Sequence, residues 1–411
     1  MKTVYRILIS TLSVAALAWF LPWLYTLLFP AAENDPFVAY SPVSGCFIVS
    51  ETADDKTRIY DVDHEGNPLG GTYTKEQRDS LLPQIYFNQL NTREALPDSL
   101  CGKALSIQAL KHGQWVFSSL PHEVNKRQPR IYLMMESMPV RLDLEDPTEG
   151  FRMDGEVGFI DMATNTMNPD RSRRFTKALS DVGFVYPMRW QNANVTTRKN
   201  YDEGYMLVDA AGDVYHMKMR GGRPYAVKVN NPDGIKAAQA FILENPDTRP
   251  LGLVFGTDRS MYVLEHDGYR MEKLPVTDTD PTRDRISVVK NIFNWVVKVK
   301  DSEGARWIAF DSDTYEPLAT YSISYTPGYM ERAARYIFPF ELSFSSINDS
   351  YAFARIHDVS ANAIWLNIVL TVIVAIVCFR RNYKATHAIF CIAASLILGI
   401  FFLPVFLLIK N

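Results

Sequence analysis

Trp295-Val296-Val297-Lys298-Val299 and Arg306-Trp307-Ile308-Ala309-Phe310 are two β-branched and aromatic runs joined across Asp301-Ser302-Glu303-Gly304. Two such runs around a Gly-containing turn are the signature of a β-hairpin. Working outward, the pattern recurs. Tyr205-Met206-Leu207-Val208 turns at Ala210-Ala211-Gly212-Asp213 into Val214-Tyr215-His216-Met217-Lys218-Met219, and Met261-Tyr262-Val263-Leu264-Glu265 turns at His266-Asp267-Gly268 into Tyr269-Arg270-Met271. Earlier, Phe47-Ile48-Val49 leads to Arg58-Ile59-Tyr60-Asp61-Val62. Along the chain the last three hairpins begin at Tyr205, Met261 and Trp295, spacings of 56 and 34 residues that bracket the period of propeller blades, though no Trp-Asp or kelch signature repeats. The fold expected is mainly β, a degenerate β-propeller or hairpin array, with a β-sandwich pair as the alternative. Helices are expected at Lys75–Leu90, opened by the capping box Thr74-Lys75-Glu76-Gln77 and divided by Pro83, at Gly234–Glu244 and at Tyr329–Tyr336.

The two ends of the 411-residue chain differ from its middle. All 46 Asp and Glu lie between Glu33 and Asp358, with 37 of the 43 Lys and Arg, so that stretch carries a net charge of −9. Lys2, Arg6, Arg380, Arg381, Lys384 and Lys410 lie outside it. An acidic domain is a poor partner for nucleic acid, whose phosphates need a concentrated positive field. Ile7 to Phe29 is free of charge, and so are the arms Ala363–Phe379 and Ala388–Ile409 on either side of the turn Arg380-Arg381-Asn382-Tyr383-Lys384. A membrane span needs about 20 apolar residues, so three transmembrane helices are expected. The first is longer than the apolar core of a signal peptide and ends Leu27-Leu28-Phe29-Pro30-Ala31-Ala32, which favours an uncleaved anchor. Cys46 lies too far past that segment for Val43-Ser44-Gly45-Cys46 to be a lipoprotein box.

Basic residues favour the cytoplasmic side. Lys2 and Arg6 before the first span and three bases in the C-terminal turn give one topology. The N-terminus is cytoplasmic, the large domain lies outside, and the C-terminus is outside. The domains expected are an anchor over 1–30, a β-rich exported domain over 31–360 and a transmembrane hairpin over 361–411. Asn367 in the first arm can hydrogen-bond across to another helix, and Ala393, Ala394, Ser395 and Gly399 offer a small-residue face.

No chemistry announces itself in the middle. None of the seven histidines pairs with another at ligand spacing, and no H-E-x-x-H occurs. Asp61-Val62-Asp63-His64-Glu65-Gly66 begins like a calcium loop, but Thr72 stands where the bidentate acid belongs, so a polar hairpin turn is the better reading. There is no G-x-S-x-G elbow, Walker A loop or G-x-G-x-x-G fingerprint. No cofactor and no metal are expected, and no catalytic residue is assigned. Cys46 and Cys101 fall in the exported domain, where an oxidising compartment permits a disulfide; two buried thiols are the alternative. The one stretch that reads as a ligand rim is the charged-aromatic cluster Arg198, Tyr201, Asp202, Glu203 and Tyr205 entering a strand. A salt-bridged junction between blades is the competing reading.

Several stretches together resemble a family of uncharacterised Bacteroidota envelope proteins catalogued as a domain of unknown function. They include Ser41-Pro42-Val43, Thr74-Lys75-Glu76, Asp79-Ser80-Leu81-Leu82-Pro83, Leu96-Pro97-Asp98-Ser99 and Glu136-Ser137-Met138. Phe151-Arg152, Gly183-Phe184 and above all Arg198-Lys199-Asn200-Tyr201-Asp202-Glu203-Gly204-Tyr205 complete the set. The resemblance covers most of the exported domain and brings no catalytic residues. It implies a Gram-negative inner membrane and a neighbourhood of ABC transporter components. The function expected is a non-enzymatic, inner-membrane-anchored periplasmic accessory or sensor subunit of a transport system, whose partners are the lipid bilayer and a permease or ATPase complex. The alternatives are a periplasmic hydrolase or metal-dependent enzyme on a propeller, and a structural envelope scaffold.

Overall fold

Runs of Val, Ile, Tyr, Phe and Trp pair with their nearest neighbours in the chain, because Asp, Asn and Gly turn the backbone between them. The computed structural model describes residues 2–30, 35–53, 56–63, 66–141, 143–232 and 234–408. It divides into two compact units, Pro36–Ser324 and Met1–Asp35 with Tyr325–Asn411.

The larger unit is a succession of antiparallel sheets. The first sheet contains β1 (Phe37–Tyr40), β2 (Phe47–Ala53) and β3 (Lys56–Val62). After it come α2 (Lys75–Leu81) and α3 (Pro83–Thr92), a small hairpin of β4 (Ser99–Leu100) and β5 (Lys103–Ala104), α4 (Ile107–His112), β6 (Trp115–Ser119) and α5 (Pro121–Val124). The second sheet runs β7 (Tyr132–Leu133), β8 (Glu149–Met153), β9 (Val157–Asp161), β10 (Thr166–Asn168), and is followed by α6 (Pro169–Asp181). The third contains β11 (Trp190–Ala193), β12 (Tyr205–Val208), β13 (Val214–Arg220) and β14 (Arg223–Lys228). The fourth contains β15 (Ala237–Ile242), β16 (Pro250–Gly256), β17 (Met261–Glu265) and β18 (Met271–Lys273). In the fifth, β19 (Arg285–Lys290), β20 (Asn294–Lys300), β21 (Gly304–Asp311) and β22 (Pro317–Ser324) are joined at the β19 edge by β6. All four hairpins expected from sequence are present, with Trp295 opposite Phe310 and Val297 opposite Ile308 in the one quoted first.

The cores show how the sheets stack. Phe151 and Phe159 of the second sheet pack on Tyr205, Tyr215 and Met217 of the third. Met206, Val208 and Val214 on the third sheet's other face meet Ala240, Val254 and Tyr262 of the fourth. Phe241, Phe255 and Val263 meet Trp115, Val288, Trp295 and Phe310 of the fifth. Val296, Trp307 and Tyr321 meet Tyr40, Phe47 and Tyr60 of the first. The order is therefore second, third, fourth, fifth, first, and among the described residues no core cluster joins the first sheet to the second. This is a blade-like row of sheets rather than a closed propeller. Sheets inside such a row are covered on both faces, so their strands read as continuous apolar runs rather than alternating ones. β16 and β17 are buried along their whole length. At one end of the row, Ala39, Ile48 and Ile59 of the first sheet are covered by Leu81 of α2, Leu82 between the helices, and Ile85 and Tyr86 of α3.

Those two helices form as the sequence predicts. Thr74 and Gln77 exchange hydrogen bonds in a capping box, and Pro83 closes α2 and opens α3. The expected helix over Gly234–Glu244 is instead β15. Its alanines favour helix in isolation, but each face of Ala237–Ile242 is claimed by a neighbouring sheet, and burial on two sides outweighs a propensity of a few tenths of a kcal/mol. In the turn read against a calcium loop, Asp61 accepts from Tyr73 Oη at 2.8 Å, while His64 and Glu65 lie outside the described residues.

In the smaller unit, α1 (Lys2–Leu28), α7 (Tyr329–Ile337), the hairpin β23 (Glu341–Ser343) with β24 (Arg355–His357), α8 (Ile364–Arg380), α9 (Ala385–Leu398) and α10 (Leu403–Leu408) pack together. Two helices are long and apolar enough to cross a membrane, Ile7–Leu28 and Ala361–Arg380, and Trp19, Trp23, Trp365, Val369 and Ile376 are exposed on them. The third expected span is interrupted. The chain breaks at Gly399–Phe401 because Gly399 takes φ +52° and Pro404 has no N–H to continue the helix. Asn367 Nδ2 donates to the freed Leu396 carbonyl at 3.0 Å, and a Cβ on residue 399 would lie 1.9 Å from Asn367 Oδ1. The asparagine marked from sequence as an interhelical donor therefore acts within the hairpin and dictates the glycine opposite.

Candidate functional site

The charged-aromatic stretch lies where the third sheet meets the fourth. Residues two apart on a strand share a face, and Trp190, Asn192 and Asn194, along and just past β11, use this spacing to reach β15 and the residues after it. Trp190 Nε1 donates to Ala240 O at 2.8 Å, Asn192 Oδ1 accepts from Ile242 N at 2.9 Å, and Asn194 Nδ2 donates to Glu244 Oε2 at 3.0 Å. Side chains thus satisfy an edge that would otherwise leave main-chain groups unpaired.

Beyond this ladder the chain folds back over a buried ammonium. Lys199 Nζ donates to Asp202 at 2.7 Å, to both oxygens of Glu244 at 2.6 and 2.8 Å, and to Asn194 O at 2.5 Å. The three charged side chains are 6%, 3% and 2% exposed, so the pairing is enclosed. Ser137 Oγ adds a donor to Asp202 at 2.5 Å, and Glu203 N donates to Glu244 at 2.7 Å. Burial raises the Glu244 carboxyl above its ordinary range, against the pull of the Glu203 N–H and Lys199. Gly204 turns the chain into β12 at φ +68°, where a Cβ would lie 2.5 Å from Met217 O. Only glycine fits there.

A second network continues from Glu203. Its carboxylate pairs with Lys218 and lies 3.6 Å from Nε2 of both His216 and His266. His216 is fully buried; its Nε2 donates to Glu203 O at 2.5 Å, so Nδ1 accepts from Tyr269 Oη at 2.8 Å. Desolvation brings its pKa down to about 4, which keeps the ring neutral. Tyr201 Oη donates to Asn245 O at 2.7 Å and, mainly through burial, its pKa is pushed up to about 12. Tyr205 Oη donates to Leu133 O at 2.6 Å, and burial raises its pKa too.

Of the five residues singled out from sequence, Tyr201, Asp202, Glu203 and Tyr205 are brought together with protein partners. Arg198 is exposed beside them, with no side-chain partner among the described residues. Lys199, Glu244, His216 and Lys218 were missed. The Lys199–Asp202 spacing was readable, but Glu244 belongs to the next sheet and nothing local points to it. Cys46 and Cys101 are free thiols rather than a disulfide. Cys46 is buried against Ser44 Oγ at 3.1 Å, whereas Cys101 is exposed rather than buried and donates to Pro42 O at 3.5 Å. In the smaller unit, Glu341, His357 and Asp358 bring one ligand atom each within 4.8 Å of one another, a grouping that no sequence spacing announced.

Asn194 also lines a cavity of about 380 Å³ beside the network, with Phe117, Ser119, Glu123, Gln191 and Phe241. Its size falls within the range of small-ligand sites. Residues 37–310, about two-thirds of the chain, match the family model described as Domain of unknown function (DUF4857). The chain belongs to DUF4857. No curated protein matches this member of the family. Similar solved structures include the β-propeller domain of Cps50 (Swd1) from Myceliophteria thermophila, with 12% identity, a TM-score of 0.26 and coverage of 48% of this chain and 57% of that one. The Dos1 propeller has 10% identity, a TM-score of 0.28 and coverage of 71% and 61%. Dihydro-heme d1 dehydrogenase NirN in complex with DHE has 12% identity, a TM-score of 0.23 and coverage of 71% and 72%. The DUF4857 chain thus spans less than two-thirds of the first two.

Proposed function

We propose that this DUF4857 protein is a non-enzymatic accessory or sensor subunit of an ABC-type transport system, anchored in an inner membrane with its sheet unit in the periplasm. The observation that carries this reading is that apolar, exposed helices precede and follow in the chain a large sheet unit whose candidate site uses its charges on itself. An acid–base catalyst needs a carboxylate or imidazole free to meet a substrate proton. Here Asp202, Glu244 and Glu203 are each held by a lysine, and His216 has both ring nitrogens engaged. Such a network fixes shape, which suits recognition. The Lys2, Arg6 and 380–384 bases support a cytoplasmic N-terminus and turn.

Detergent extraction of the full-length protein from its native membrane, followed by mass spectrometry of the proteins that co-elute, tests the proposal. A permease or ATPase is expected in fixed ratio. A protein that elutes alone under every mild detergent tried overturns the proposal.

A further inference from the structure

Two strands at sheet edges are treated in opposite ways. The edge of β15 is covered by the Trp190, Asn192 and Asn194 ladder. β6 pairs with β19 on one side, and on the other its main chain has no hydrogen-bond partner among the described residues. Folded proteins blunt free strand edges with charge, proline or a covering element. β6, Trp115-Val116-Phe117-Ser118-Ser119, has neither charge nor proline, and its Val116 side is 60% exposed. The fifth sheet has moreover already been extended once at this edge, by β6 itself, which comes from before the second sheet.

A cavity lies on each face of this edge. Phe117, Ser119 and the intervening Ser118 line the 380 Å³ cavity. Val116 lines another of about 340 Å³ with Phe37, Val38, Ile85, Val289 and Trp307. Successive side chains of a strand point to opposite faces, so a strand added beside β6 would direct alternate residues into the two cavities. Their chemistry differs. The Val116 cavity is walled chiefly by aliphatic and aromatic groups. The Phe117 cavity holds one charged side chain, Glu123, which is exposed and has no side-chain partner among the described residues, and no Lys or Arg lines it. The Ser119 hydroxyl there is buried and unpaired.

We propose that β6 is a strand-addition site for an extended segment of a partner protein, with apolar residues entering the Val116 cavity and alternating basic residues beside Glu123. Main-chain hydrogen bonds supply affinity in this mode, and the alternating pockets supply selectivity. The inference stands whether or not the partner is a permease.

The test uses the full-length protein in detergent and a capped pentapeptide of alternating valine and lysine. Hydrogen exchange at residues 115–119 and fluorescence anisotropy of the labelled peptide are the readouts. Peptide-dependent slowing of β6 amides is expected, with binding weakened about tenfold in Glu123→Gln and further in Glu123→Lys. Both substitutions are on the surface, and unchanged circular dichroism shows that the fold is kept. The same peptide with N-methylated backbone amides should not bind. No protection of β6, equal binding of the N-methylated peptide, or indifference to Glu123→Lys would each overturn the proposal. So would protection that rises with protein concentration alone, which would make the occupant a second copy. Co-elution with a transporter bears on none of these outcomes.

Discussion

Two junctions between neighbouring sheets differ in where they put their charges. Where the fourth sheet meets the fifth, rings fill the middle, with Trp115 edge-on to Trp295 at 4.9 Å and Trp295 stacked on Phe310 at 5.7 Å. Its ion pairs are more open to water than those of the third–fourth junction: Arg249–Asp313 has side chains 36% and 57% exposed, and Lys290–Asp247 9% and 22%. Where the third meets the fourth, the middle is largely Met, Val, Leu and Ala, and Lys199, Asp202 and Glu244 go inside. Rings stabilise by removing apolar area from water, wherever they find it. A buried ion cluster offsets its own desolvation only in one arrangement, so it adds little net stability but penalises any other mating of the sheets. One junction supplies adhesion and the other supplies choice.

The comparison breaks most visibly at its aromatic side. Trp295→Ala is expected to lower unfolding stability by about 4 kcal/mol, through lost transfer energy and the cavity left behind. Urea unfolding of the full-length protein, followed by far-UV circular dichroism, measures this, and a loss below about 1 kcal/mol would deny that junction its adhesive role. Lys199→Ala should cost about 3 kcal/mol by leaving two carboxylates buried without their cation. Replacing Lys199, Asp202 and Glu244 together by Met, Leu and Leu should cost much less, and if both changes cost the same, the cluster is simple adhesion after all.

The same polar side carries a pH signature. The folded pKa of His216 lies below its unfolded value, so the neutral ring contributes stability that is complete above about pH 6.5 and is lost as pH falls through about 4. A loss of roughly 2–3 kcal/mol across that window is expected. His216→Gln should remove most of that slope in pH-resolved urea midpoints. Least affected should be the exposed pair: Asp313→Asn is expected to change stability by less than about 1 kcal/mol, and less still in high salt.

What could be read from the chain follows from the same contrast. Hairpins such as Tyr205–Met219 and Trp295–Phe310 were legible because a turn and two flanking runs are local. The capping box at Thr74 and the break at Pro83 were legible for the same reason. β15 was not, because Ala237-Ala238-Gln239-Ala240 suits a helix until sheets close on both of its faces. The stretch from Arg198 to Tyr205 stood out as a charged cluster, but its meaning depends on Glu244, Asn245 and His216, which only folding brings near. Gly399 read as a packing residue, while its true constraint came from Asn367, on the opposite arm of the hairpin.

The two ends of the sheet row are unlike. At one, helices α2 and α3 lie over Ala39, Ile48 and Ile59. At the other, the face of the second sheet that points away from the third carries Gly150, Arg152, Gly158 and Ile160. A ring fixes its number of blades by having to close, whereas a row has no such arithmetic. Duplication of a four-stranded unit could lengthen this architecture at the glycine-bearing end without reopening any existing core, while the helix-covered end would have to be dismantled first.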